Sequence, residues 1–127
     1  MYSCPVQYAT HASVRGRTLS LETANTAEKR RMGLMGRQIL EDNSGMFFPS
    51  KQKEMQSFWM KNTHIPLDMI FVDRTNSISK IAEQVTPMSL DYVRQEACYV
   101  IETNGGWAEK NNVQVGDTIY FSVNRFT

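Results

Sequence analysis

A chain of 127 residues is long enough to bury one hydrophobic core without metal or disulfide staples and too short for two comfortable domains. Hydrophobic residues at 41% and charged residues at 21% are ordinary globular values, which excludes a disordered chain or a coiled coil. Fourteen basic against thirteen acidic residues leave a formal net charge of +1, so no bulk field draws in nucleic acid or an anionic membrane, and only Lys29-Arg30-Arg31 forms a local basic run.

No apolar run reaches the ~20 residues of a membrane span, and Met1-Tyr2-Ser3-Cys4-Pro5 lacks the basic and apolar regions of a secretory signal. The expectation is a soluble chain without a membrane segment, cytoplasmic by default. Cys4 and Cys98 lack Cys-x-x-Cys spacing, so neither zinc nor a redox pair is indicated. A long-range disulfide between them stays open, with a buried free thiol at Cys98 the favoured state.

Residues 1–12 show no periodicity and read as a loose lead-in, ordered only if Tyr2 or Tyr8 docks; a single β-rich domain is expected over 13–127. Val14, Leu19 and Leu21 around Arg15-Gly16-Arg17 suggest a hairpin. Asn25 or Thr26 can cap a helix running to about Met32 or Leu34, with Gly33 or Gly36 ending it. Leu34 and Met35 should pack down, while Arg30, Arg31 and Arg37 face outward or reach for acids. Met46-Phe47-Phe48 reads as a short strand stopped by Pro49, followed by a polar loop or helical turn to Gln56.

Residues 57–63 alternate as a strand, with Phe58, Met60 and Asn62 on one face and Trp59, Lys61 and Thr63 on the other. After an Ile65-Pro66 corner, residues 67–73 read as a doubly buried strand, with Leu67, Met69 and Phe71 opposite Asp68, Ile70 and Val72. A turn at 73–77, a strand at 78–85, a surface loop at 88–95 and a central strand at 97–103 follow, the last placing Cys98, Val100 and Glu102 on one face. A short helix at 107–112 and a final strand at 118–126 complete a mainly β domain of about seven short strands. The fold class is a curled, mostly antiparallel sheet or a small β-barrel with one or two short helices.

Four constellations carry potential chemistry. Lys61, Asn62, Thr63, His64 and Asp68 could hold a polar or anionic ligand around the proline corner. The favoured reading of Asp68 is structural, capping its own turn and pairing with Lys61. Glu102, carried inward on an apolar strand, must either have its pKa raised or find a cation, and a bridge to Arg30 or Arg37 is favoured. Asn104-Gly105-Gly106-Trp107 reads as a plain turn, since no phosphate-loop lysine follows. Trp59 and Trp107 could line one apolar pocket or simply be core. Familiar catalytic motifs are absent, and no metal or cofactor is implied.

Taken in order, Leu21 to Arg37, Gly45-Met46-Phe47-Phe48, Phe58 to Asp68, Ile101-Glu102 through Gly106, and Gly116-Asp117 resemble the signature of domain-of-unknown-function family 192 over residues 13–123. Trp59-Met60-Lys61-Asn62-Thr63 and Ile65-Pro66-Leu67-Asp68 are its most specific pieces. The resemblance implies a compact β-rich fold, no established activity, and a shared site to be sought among Arg30, Arg37, Lys61, Asn62, Asp68 and Glu102. Many relatives look exported, a pattern from which this chain's N-terminus departs. At Phe47-Phe48-Pro49 relatives continue an apolar strand that is expected here to end early.

The favoured function is a non-enzymatic module that binds a polar small ligand or a protein partner through Trp59, Lys61, Asn62, Thr63 and Asp68 with Arg30, Arg37 and Glu102. The alternatives are a hydrolase using Asp68 or Glu102 as acid or base, and a structural subunit of a larger assembly such as a virus particle.

Overall fold

The computed structural model describes residues 3–124. Among them seven strands form one sheet: β1 (His11–Val14), β2 (Arg17–Thr23), β3 (Ser44–Phe58), β4 (Leu67–Val72), β5 (Ile78–Val85), β6 (Val93–Asn104) and β7 (Tyr120–Ser122). Two short helices accompany it, α1 (Ala27–Met32) and α2 (Trp107–Lys110). The spatial order is β5-β4-β6-β3-β2-β1-β7, antiparallel throughout except where β2 runs parallel to β3. Of the two expected forms, the open curled sheet is realised and the barrel is not. Its edges meet at one corner, where Ile78 N–H donates to Asp117 O and Ile119 N–H to Asn76 O, without closing.

Local chemistry accounts for the expected turns. Arg15 and Gly16 both take positive φ, the geometry of a tight β1–β2 hairpin. The Thr26 hydroxyl accepts from Lys29 N–H at 3.1 Å and starts α1, and Gly33 (φ 49°, ψ −128°) stops it in a conformation reserved for glycine.

One expected break does not occur, and one expected strand is cut short. Pro49 lies inside β3, which continues to Phe58 past an irregularity between Pro49 and Glu54. The β2 ladder ends at Thr23 opposite Phe47, and Phe47 O accepts from Ala24 N–H on that side. By strand alternation the Pro49 peptide faces the same, now unpaired side, so its missing N–H breaks no ladder bond. Residues 59–66, conversely, are a loop and not a strand: Thr63 N–H returns to Met60 O, and Asn62 takes φ 54°. The final strand is also shorter than expected, and Phe126 lies outside the described residues.

β4 is buried at every position, and its alternation holds. Leu67, Met69 and Phe71 join Leu34, Met46, Phe48, Met60 and Val100 in one core cluster, while Ile70 and Val72 join Phe47, Tyr99, Ile101 and Trp107 in the other. Each large side chain removed from water contributes roughly 2 kcal/mol. Cys98 falls in the second cluster, not on the Val100 side as strand alternation suggested, and it is disulfide-bonded to Cys4. The bond overturns the expectation of a free thiol. It also docks the lead-in: Cys4 and Ala9 are buried, Val6 N–H donates to the Tyr99 hydroxyl, and Tyr8 stays exposed. Tyr2 lies outside the described residues.

Asp68 is fully buried at the start of β4. Its Oδ1 accepts from Gln84 N–H at 2.8 Å and Gly106 N–H at 3.0 Å, and its Oδ2 from Ala108 N–H at 2.9 Å. It therefore caps backbone, as expected, but the amides belong to β5 and to the start of α2, not to its own turn. Lys61 does not pair with it and instead lies over the Trp59 ring.

Two outcomes follow. Asp68→Asn, which turns one acceptor into a donor facing N–H groups, should cost about 3 kcal/mol or more in urea unfolding, whereas Lys61→Ala should stay within about 0.5 kcal/mol. Because the disulfide closes a loop with a sequence separation of 94, Cys4→Ser/Cys98→Ser should lower stability by about 4 kcal/mol in the same assay.

Candidate functional site

On the face opposite Asp68 lies a cavity of about 380 Å³. Its floor is Glu102 on β6, which sits opposite Met46 of β3 and Met69 of β4. α1 and the turn after it supply Arg30, Arg31, Met32, Gly33, Leu34 and Met35. Phe48, Gln56, Ser57 and Phe58 of β3, Trp59 and Thr63 from the corner loop, and Tyr92 form the remaining wall.

Gly33 is required here by its positive φ. A Cβ at this position would make only ordinary contacts, 3.6 Å from Phe48 Cζ and 3.7 Å from Glu102 Oε1, which shows how closely this turn approaches the cavity floor.

Glu102 is 4% exposed and its carboxyl group makes no ion pair or hydrogen bond with any described residue. The bridge expected with Arg30 or Arg37 is not formed. Arg37 reaches Glu22 at 2.8 Å on the surface, and Arg30 donates to the Pro49 carbonyl that the end of the β2 ladder leaves free. Without a cation, burial alone pushes the Glu102 carboxyl up to about 8, so it holds its proton at neutral pH. The two outcomes open to an inward carboxylate have resolved in favour of the raised pKa.

The aromatic wall is already committed. Trp59 and Tyr92 stack at 5.0 Å with planes 7° apart, Lys61 lies 5.3 Å over Trp59, and Arg94 lies 5.0 Å over Tyr92. This cation-ring-ring-cation ladder occupies ring faces that a ligand would otherwise use for stacking. Gln56 likewise spends its amide nitrogen on Ser50 Oγ at 2.8 Å and Ala97 O at 3.3 Å. Arg31, by contrast, is exposed at the rim and makes no ion pair with a described residue.

Of the residues singled out from sequence, Arg30, Trp59, Thr63 and Glu102 come together at this cavity. Lys61 is outside it on the ladder, Arg37 is on the surface pair, and Asp68 is on the other face of the sheet. Asn62 serves through its backbone, its carbonyl accepting from Gly36 N–H and holding the turn after α1 beside the corner loop. Trp107 does not share a pocket with Trp59; it is buried in the other cluster, with Nε1–H donating to Asn43 Oδ1 at 3.0 Å. Sequence reasoning missed Arg31 and Tyr92 as lining residues. Arg31 was legible as part of the basic run, whereas Tyr92 lies in a stretch with no local signal. Among the described residues no group of three or more His, Cys, Asp or Glu side chains could hold a metal ion, and no helix is long and apolar enough to cross a membrane.

No curated protein matches the chain. Two solved structures are similar to it. One is a protein of unknown function from Novosphingobium aromaticivorans, with 32% identity and a TM-score of 0.83 over 87% of this chain and 84% of that one. The other, from Sinorhizobium meliloti 1021, is described as a "putative transcription regulator", with 32% identity and a TM-score of 0.82 over 91% of this chain and 96% of that one. The family profile described as "Uncharacterized ACR" matches residues 10–121, the stretch containing all seven strands but for Ser122, and the chain belongs to that family, DUF192.

Proposed function

We propose that the protein is a small-molecule-binding module whose site is the Glu102 cavity. The single observation that carries this is a buried carboxyl group without an internal partner facing an open cavity. With no described residue bonded to it, this carboxyl group can hydrogen-bond only into the cavity, where a ligand takes the place of solvent. The corner loop contributes Trp59 and Thr63 to the wall.

A second reading has one observation in its favour: a carboxyl poised near 8 is suited to general acid–base work. The binding reading is preferred because, among the described residues, no second carboxylate or imidazole lines the cavity to complete an acid–base pair. Asp68, the other acid of that reading, has both oxygens engaged by backbone amides. The description of the Sinorhizobium relative as a regulator would require nucleic-acid contact or an effector site. Helices of six and four residues are too short to read a major groove, whereas the cavity could serve an effector.

A thermal-shift screen of metabolites, saccharides and nucleotides should find compounds that raise the melting temperature of the wild type and not of Glu102→Ala. Hits that shift both proteins equally would place the site elsewhere. Stability itself should report the Glu102 proton. Its folded pKa of about 8 lies above the usual 4.5, so between those values the folded state binds more protons than the unfolded one and stability falls as pH rises. Relative to wild type, Glu102→Gln should therefore gain several kcal/mol between about pH 5 and pH 8 in denaturant unfolding, and an unchanged gap would show that Glu102 is not proton-bound in the fold.

A further inference from the structure

The charges around the cavity are arranged with one sign at the mouth and an acid only at the floor. Arg30 and Arg31 line it from α1, and Lys61 and Arg94 lie on the outer faces of the Trp59–Tyr92 stack that forms its wall. Among the described residues Arg31 has no acidic partner and Glu102 alone brings a carboxyl group to the cavity lining. Such a mouth attracts anions and repels cations.

The interior also disfavours a cationic ligand. An ammonium ion would need either open aromatic faces or an ionised carboxylate. The Trp59 and Tyr92 faces are taken by each other and by Lys61 and Arg94, while Phe58 is engaged edge-on with Phe48 and Phe71. Ionising Glu102 beneath Leu34 and Phe48 would bury two charges in apolar surroundings. A protonated carboxyl group, in contrast, offers one O–H donor and suits an uncharged oxygen.

Resting on the binding role assigned to this cavity, we infer that its ligand is a small organic anion, with a carboxylate or phosphate held at the mouth by Arg31 and Arg30. An uncharged hydroxyl or carbonyl oxygen of the same molecule accepts a hydrogen bond from the Glu102 carboxyl group at the floor. Binding is then proton-gated. Glu102 stands beside Met46 of β3 and Met69 of β4, with Gly33 after α1 close to its carboxyl group, and the titratable groups that line the cavity with it are, among the described residues, Arg30, Arg31 and Tyr92. Loss of the Glu102 proton turns a donor into a negative charge facing an anion.

Calorimetric titration of the full chain with glycerate, glycerol 3-phosphate, 4-aminobutyrate, putrescine and glycerol tests this and separates the carboxylate from the phosphate source. At about pH 6, glycerate or glycerol 3-phosphate should bind while putrescine and glycerol do not, and affinity should fall about tenfold by pH 9 as Glu102 ionises. Arg31→Ala should weaken the anion about tenfold. Glu102→Gln, still a neutral donor but unable to ionise, should abolish the fall between pH 6 and pH 9, an outcome that a purely structural role for Glu102 would not produce. Tighter binding of putrescine or 4-aminobutyrate, or affinity rising with pH in a Glu102-dependent way, would overturn the anionic class while leaving the cavity as the site. Silence of all five probes to about 10 mM would overturn it too, and only if the broad screen were also silent would the binding role fall with it.

Discussion

The arrangement of the whole domain rests on one carboxylate accepting three backbone N–H groups. Asp68 sits on β4, yet the amides it satisfies belong to Gln84 on β5 and to Gly106 and Ala108 at the head of α2. Without it the Ala108 amide would be a buried donor with no partner, at a cost of roughly 1–3 kcal/mol, and the part-buried amides of Gln84 and Gly106 would lose their acceptor. The lock leaves little room around it: a Cβ at Gly105 would lie 3.0 Å from Pro66 Cβ. With β4 held at its first turn of ladder, its register against β6 places Met69 opposite Glu102. The floor of the cavity is thus positioned by a hydrogen-bonded acid on the reverse side of the same sheet.

The two buried acids show how environment divides identical chemistry. Asp68 gives up water for three oriented N–H groups that hydrogen-bond both of its oxygens. Glu102 gives up water for methionine, leucine and phenylalanine, which favour the protonated acid. Neither is paired with a side-chain cation among the described residues. The arginines nearest in sequence to the cavity are used elsewhere or left at the rim, so the local charge pattern is set by what the backbone of β3 and β2 demands. Arg30 answers a carbonyl exposed where β2 ends, and Arg37 answers Glu22.

Much of this was legible in the residues. The alternation of Leu67, Met69 and Phe71 against Ile70 and Val72 located the central strand because both faces needed apolar groups. Thr26 and Gly33 marked the ends of α1 because capping is local chemistry. Glu102 was recognised as an acid carried inward. What stayed hidden depended on non-local partners. Pro49 reads as a strand breaker until the end of β2 is known, and residues 59–63 alternate like a strand while their amides return to a loop. The Cys4–Cys98 pairing depended on a lead-in with no periodicity folding back over the sheet. Tyr92 reached the cavity wall from a polar stretch whose only local feature was its aromatic ring.

The parallel pairing of β2 with β3 has a consequence for how such a domain can diversify. Parallel neighbours cannot be joined by a tight hairpin; the chain must leave the sheet and return over one face. Residues 24–43 make that excursion, and Arg30 to Met35 within it form one side of the cavity. The wall and the floor therefore have separate origins, one in an obligatory bridge between strands and the other in the sheet. A relative could lengthen or rewrite the bridge and so change which molecules enter, while the strand ladder, the Asp68 lock and the acid at the bottom stay in place.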